Sequence, residues 1–163
     1  MYVSFDEMPD EARVWLYPYA DSFSEEEILA ANADIKIFVE EWLSHGKSVK
    51  GSGAILFGRV LCLTADEKSS ADVGGCSIDS STRFITKLEQ KFNKPASDRS
   101  LVVYKISDKE TGVVHFRDLD KILNEGTISD KTLVLNLQSE DIVDLKSAWI
   151  PLAESAYSRF VNL

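Results

Sequence analysis

The residues of this chain best suited to chemistry lie in one turn, Val73-Gly74-Gly75-Cys76-Ser77-Ile78-Asp79-Ser80-Ser81. A thiol just ahead of a helix start meets backbone amides that lack intrahelical partners, and the positive end of the helix dipole. That setting favours a thiolate or a bound anion. With Ser77 as the expected N-cap, the amides of Ile78, Asp79 and Ser80 point toward the loop. Gly74 and Gly75 let a ligand approach the backbone closely, and Ser80, Ser81 and Arg83 add donors. Cys76 is therefore the candidate nucleophile. Gly74, Gly75, Cys76, Ser77, Ser80 and Arg83 are the candidate binding residues for a small anionic ligand. The same residues equally describe an ordinary helix start, with Asp79 complementing the dipole in the first turn. Asp66, Glu67, Asp72 and Asp79 also place negative charge near the loop, which opposes a thiolate and an anion alike.

A cysteine enzyme also needs a base, and only His45 and His115 are present. His45 is expected at a helix C-terminus, where a cation suits the dipole. His115 alternates with Val114 and Phe116 in a short strand. The loop acids match no known cation-binding loop. Cys62 and Cys76 form no CxxC pair and have no neighbours at ligand spacing, so neither a disulfide framework nor a structural metal is expected. No cofactor is implied. Trp15, Trp42 and Trp149 are expected to face the core or its rim.

The 163 residues suit a single domain over 1–163, with enough chain to bury a core without staples. A net charge of −9 disfavours nucleic-acid backbones and anionic membranes, since neither releases counterions onto an acidic surface. The acidic opening Met1 to Glu7 lacks the layout of a signal peptide. The longest apolar run, Ala54 to Leu63, is broken by Gly58-Arg59 and is too short to span a bilayer. The expected location is the cytoplasm, with no nucleic-acid or membrane partner.

Around the turn, hydrophobic periodicity lays out the elements. Ala12 to Pro18 alternates as a strand, with Arg13, Trp15 and Tyr17 on one side. Ser24-Glu25-Glu26-Glu27 is a capping box opening a helix through Ile28, Ala31, Ile35, Phe38, Val39 and Trp42, which His45-Gly46 is expected to end. Ala54–Phe57 and Val60–Ala65 form two strands joined by Gly58-Arg59, a pair suited to a type II′ hairpin. A polar loop, Asp66 to Gly75, leads to a second helix through Ile78, Ile85, Leu88 and Phe92 that stops before Pro95. Leu101–Ile106 is a further strand.

The order βαββαβ predicts an α+β fold, a ferredoxin-like antiparallel sandwich over 1–107. A C-terminal β-α-β-α elaboration over 108–163 follows. It comprises a strand Val113–Phe116, a helix through Leu119, Ile122 and Leu123 ended by Gly126, and a strand Leu133–Leu137. Ser139 then caps a helix carrying Ile142, Leu145 and Trp149. Such a sandwich leaves one sheet face, with Arg13, Trp15 and Tyr17, to be covered by the elaboration, a ligand or a second copy in a homodimer.

Two stretches imitate a nucleotide site. Gly53 to Val60 has the glycine spacing of a P-loop, but Arg59 and Val60 stand where Lys and Ser or Thr are needed. Leu61 to Glu67 imitates a Walker B strand ending in Asp66-Glu67. The aromatic opening strand with the acidic capped helix ending in His45-Gly46, the strand pair ending Ala65-Asp66-Glu67, Gly75-Cys76-Ser77-Ile78-Asp79-Ser80-Ser81, Leu88-Glu89-Gln90-Lys91-Phe92 and Trp149-Ile150-Pro151-Leu152 make the chain resemble, over nearly its whole length, a small uncharacterised bacterial family. Members of that family often carry the label "ABC transporter ATPase", and the resemblance implies no established activity. The residues argue against the label, because the P-loop lysine is missing and Gly74-Gly75-Cys76 is not the transporter signature. Two readings remain. One is a non-catalytic small-ligand-binding or protein-assembly module. The other is a thiol-dependent enzyme or redox-responsive protein using Cys76. Either way, purified protein is expected to hydrolyse ATP no faster than a metal-free blank. Magnesium-dependent release of phosphate above that blank contradicts this reading.

Overall fold

Alternation in the first strand sets the layering of the molecule. The computed structural model describes residues 1–96 and 100–163, Cys76 by its backbone alone. β1 (Arg13–Pro18) is followed by α1 (Glu25–Glu40), a two-residue hairpin of β2 (Leu43–Ser44) and β3 (Lys47–Ser48), then β4 (Gly51–Leu56) and β5 (Val60–Ala65). α2 (Gly75–Phe92) comes next, and then β6 (Leu101–Lys105), β7 (Thr111–His115), α3 (Leu119–Asn124), β8 (Leu133–Leu135), α4 (Ile142–Lys146) and β9 (Trp149–Pro151). This is an α+β fold with antiparallel sheets.

The first sheet has the order β1-β5-β4, with β5 buried at its centre. Arg13, Trp15 and Tyr17 pair with Ala65, Leu63 and Leu61, so these residues share one face. That face packs on the helices, where Tyr17, Leu61 and Leu63 join Ile35, Val39, Ile85 and Leu88. The side expected to lie open is thus the covered one, because three large side chains of β1 and β5 supply the surface on which α1 and α2 bury their apolar stripes. Val14 and Leu16 point the other way with Cys62. They meet Met8 and Ala12 of the N-terminal segment and Ile142 and Leu145 of α4.

The ferredoxin-like sandwich is not completed. Its first three strands take the expected split order, but β6 joins a second sheet, β7-β6-β8-β9. Beside β1 the edge is occupied at both ends. Val14 N donates to Glu140 O at 2.9 Å, and Tyr19 bridges Ala96. β6 instead finds a five-residue antiparallel partner in β7. A boundary at residue 107 therefore cuts a hairpin, and the C-terminal part is a sheet with two helices. Trp149 lies in a strand rather than on a helix. Val103, Leu135 and Ala148 of this second unit pack on Val60 and Leu16, while α3 and the C-terminal turns cover its far side through Leu119, Ile122 and Leu152.

Local signals explain the remaining differences. Helix α1 opens on the predicted capping box, with Glu27 N donating to Ser24 Oγ at 3.1 Å. It ends at Glu40, however, and His45-Gly46 forms the turn of the β2–β3 hairpin. Both residues there have positive φ, 52° and 77°, as a primed turn requires. In the β4–β5 hairpin Leu56 faces Val60, so the loop has three residues, and Phe57 and Gly58 carry the positive φ values. The cap of α4 is Asp141, which accepts from Asp144 N at 2.8 Å. The Ser139 hydroxyl donates instead to Asn136 O.

Gly53 is a glycine for packing. A Cβ there would stand 2.8 Å from both Cys62 O and Ile35 Cγ2, between the sheet and α1. Gly53→Ala is expected to lower stability by about 1–3 kcal/mol, since the backbone contact cannot yield. Gly75→Ala, where a Cβ meets nothing within 4 Å, is expected to be neutral or stabilising. Urea unfolding of the two variants beside the parent checks the contrast.

Candidate functional site

The sequence-predicted turn sits at one end of the α1–α2 layer, held by side chains from four segments. Asp66 leaves β5 and accepts from Ser69 N and the Ser69 hydroxyl, and from Lys50 Nζ at 3.3 Å. Ser70 donates its hydroxyl to Asp66 O and accepts from Lys50 N. Glu67 Oε1 accepts from Val73 N at 2.9 Å and pairs with Arg13 at 3.5 Å. The Ser44 hydroxyl donates to Asp72 O. Trp42 is buried beneath and donates its indole N–H to Ser77 O at 3.2 Å. Its ring meets Trp15 edge-on, and the Arg13 guanidinium lies 4.7 Å over Trp15. The two acids that imitate a Walker B motif are thus hydrogen-bonded into the loop that delivers α2.

The Ser69 hydroxyl, opposed by burial and aided by Lys50, holds the Asp66 carboxyl below its ordinary range. A depressed folded-state value contributes stability above the ordinary carboxylate pKa and loses it as pH falls through the folded value.

Helix α2 begins two residues earlier than Ser77. Gly74 is its N-cap, and its carbonyl accepts from Ser77 N at 3.1 Å and Ile78 N at 3.0 Å. The amides of Ile78, Asp79 and Ser80 lie within the helix and do not face a ligand. Ser77 is buried, and its hydroxyl has no hydrogen-bond partner among the described residues. Ser81 is buried as well, donating to Ile78 O at 2.7 Å. A glycine cap explains the shift: with no side chain at residue 74, the chain enters the helix beneath the β2–β3 turn. A Cβ at Gly74 would stand 3.3 Å from His45 Nε2. The imidazole expected at a helix end is therefore carried on a hairpin tip against the Gly74-Gly75 turn. His115 belongs to the second sheet, where its Nδ1 accepts from Arg117 N and its ring stacks on Phe116. The Cys76 side chain lies outside the described residues. Cys62, the other thiol, is buried in β5, and burial pushes it up to about 12.

Ser80 and Arg83 are brought to an open surface. With Phe38 and Glu41 they line two adjoining clefts between the helices, one continuing past Trp42 to His45, the other past Phe84 and Leu88 to Lys91. The second is about 530 Å³ in volume, with Ile37 at its mouth. Phe38 and Phe84 stack at 4.4 Å on its floor. Asp34 bridges to Lys91 at 2.6 Å, and Glu27 to Lys94 at 3.4 Å, so the helices run antiparallel. Glu41 beside Arg83 makes the cleft amphoteric rather than anion-selective. Among the described residues, no three His, Cys, Asp or Glu side chains converge as a metal site, and no helix is long and apolar enough to cross a membrane.

Sequence reasoning missed the outward side of α1. Leu29 is 73% and Ile37 59% exposed, with Ala33 between them, and Leu43 beyond the helix is 52% exposed. The signal was present in the spacing 29, 33, 37, a second apolar stripe beside the core-facing one. By contrast, α2 presents Thr82, Arg83, Thr86, Lys87 and Gln90 to solvent. No family model, curated protein or solved structure matches the chain.

The pseudo-P-loop is strand β4 and a tight turn. Gly53 packs under Ile35, and Arg59 is 8% exposed, donating to Ala20 O at 2.7 Å and to Thr111 O at 3.0 Å. Both ends of the imitated motif are therefore occupied by the fold itself.

Asp66→Asn is expected to lower the urea midpoint at pH 7, because the loop bonds of the carboxylate weaken. The gap between variant and parent should close as pH falls and Asp66 of the parent protonates. A gap of equal size at pH 7 and in acid would contradict the role given to the charge.

Proposed function

We propose that the protein is a non-catalytic protein-assembly module that binds its partner through the α1–α2 face. One observation carries this reading: besides its core-facing stripe, α1 bears exposed apolar residues at 29, 33 and 37, set among Glu26, Lys36 and Glu40. An amphipathic surface helix turns mainly polar residues to water, and a second, contiguous apolar stripe on that side marks a surface that a partner covers. Leu29, Ala33, Ile37 and the Phe38–Phe84 stack form an apolar strip rimmed by charge, as docking surfaces are. The other face of the first sheet supports the same choice, since α4, the N-terminal segment and the second sheet already cover it.

A small anionic ligand at Gly74, Gly75, Ser77, Ser80 and Arg83 is supported less well. Ser77 is buried, the Ser80 hydroxyl donates to Ser77 O at 2.8 Å, and Glu41 shares the cleft with Arg83. Nucleotide hydrolysis has no support in a turn whose arginine is spent on main-chain carbonyls.

A photo-crosslinking amino acid at position 37, in cells making the protein, is expected to give a discrete adduct. The same group at position 143, another exposed apolar position on α4, should not. Equal labelling at both positions, or none at 37, would remove the assembly reading.

A thiol-dependent function is favoured by one observation, the approach of His45 Nε2 to the turn that holds Cys76. Iodoacetamide alkylation against pH, on a Cys62→Ser background, separates the readings. The assembly module predicts a midpoint at or above the ordinary value near 8.5. Fast labelling with a midpoint well below it would make Cys76 the functional centre.

A further inference from the structure

We propose that the partner on the α1–α2 face is a second copy of this chain, related by a two-fold axis running along the groove between the helices. The inference rests on the assembly reading and adds the identity of the occupant.

Its basis is the separation of charge across the groove. On the α1 side the acids lining the groove are Asp34, paired with Lys91 at 2.6 Å, and Glu41, which forms no ion pair among the described residues. On the α2 side, Arg83 and Lys87 form none either. Between these rims lie the exposed Ile37 and the stacked Phe38 and Phe84. One copy therefore carries an acidic ridge, an apolar floor and a basic ridge side by side. A surface of that kind is complementary to itself.

The symmetry axis follows from the charges. A two-fold along the groove keeps each residue at its own level and exchanges the ridges, so α1 of one copy lies over α2 of the other. Glu41 and Arg83 line the same end of the groove, so this operation sets Glu41 of each copy against Arg83 of its mate. Ile37, at the groove mouth, meets the Phe38–Phe84 floor of the mate. A two-fold across the helices would instead lay acidic α1 on acidic α1 and basic α2 on basic α2, which like-charge repulsion opposes. The contact is isologous, so two identical apolar and ionic half-sites form at once and no open edge remains to propagate a fibre.

The test is sedimentation velocity of the purified full chain from low to high micromolar concentration. The parent is expected to sediment as two chains, and more weakly as salt screens the ridges. Ile37→Asp is expected to weaken association at least about tenfold, as loss of an interface anchor does. At concentrations where both proteins are single chains it should leave the urea midpoint near that of the parent, because the residue is exposed there. Arg83→Glu alone and Glu41→Arg alone are each expected to sediment as single chains. An equimolar mixture of these two should restore a species of two chains, since every ionic contact in the mixed pair is again between opposite charges.

A single-chain mass for the parent at all concentrations would overturn the inference. So would a dimer indifferent to Ile37→Asp, or a mixture that stays monomeric. A monomeric purified chain that still gives the position-37 adduct in cells would overturn the second copy and leave the assembly reading standing. Loss of both would remove both.

Discussion

The guanidinium of Arg59 is the group on which the two halves of this molecule depend. It sits in the β4–β5 turn, nearly buried and without a carboxylate in ion-pairing range among the described residues. Burial lowers its proton affinity, opposed by the nearby Asp21 and Tyr104, and main-chain and hydroxyl oxygens accept from its donors. Its Nη1 donates to Ala20 O, its Nη2 to Thr111 O and its Nε to Thr111 Oγ1. Thr111 returns a bond to Phe57 O at 3.2 Å, and the Phe57 ring meets Trp149 edge-on at 5.0 Å. The end of β1, the β4–β5 turn and the second sheet are thereby joined at one point. Charged hydrogen bonds of this kind are among the stronger ones, and a buried carbonyl left without its donor is costly.

From that junction the placement of function follows. Because the second sheet is held against Val60 and Leu16, both faces of the first sheet are covered, and the docking surface proposed above is the helical one. The nucleotide-like stretches are also engaged by the fold. Arg59 cannot serve a phosphate while its donors are committed to carbonyls. Asp66 and Glu67 likewise cannot serve a cation while they fasten Ser69, Lys50, Val73 and Arg13. Along the α1–α2 groove Glu41, Arg83 and Lys87 are exposed and form no ion pair among the described residues, with Ile37 exposed between them.

Much of the first layer was legible in the sequence because its signals are local. The Ser24–Glu27 capping box, the alternation of Arg13 to Pro18 and the stop before Pro95 all act through neighbours in the chain, and each appears as expected. The pairing of β6 depends on which edge is free in three dimensions, and no local pattern reports that Glu140 and Ala96 take the edge of β1. Glycine misled twice for related reasons. Gly46 ends a helix or turns a hairpin with the same positive φ, and Gly74 caps a helix as readily as the serine that follows it. At the site, Ser80 and Arg83 are read from the sequence as donors beside the turn, and the fold places both on the α1–α2 groove. His45 was visible as a residue but not as a neighbour, since its approach to Gly74 needs the hairpin that spacing could not specify.

The most direct measurement is amide hydrogen exchange of the parent and of Arg59→Met, which keeps the aliphatic stem and removes the donors. In the parent, Leu61 and Leu63 of β5 and Val102 and Val103 of β6 should open with one shared free energy, as a single cooperative unit. In Arg59→Met, Val102 and Val103 should exchange through a lower-energy opening that leaves Leu61 and Leu63 protected. If protection in both strands falls equally, or not at all, the two sheets are not held together by the Arg59 turn and the account fails at its base.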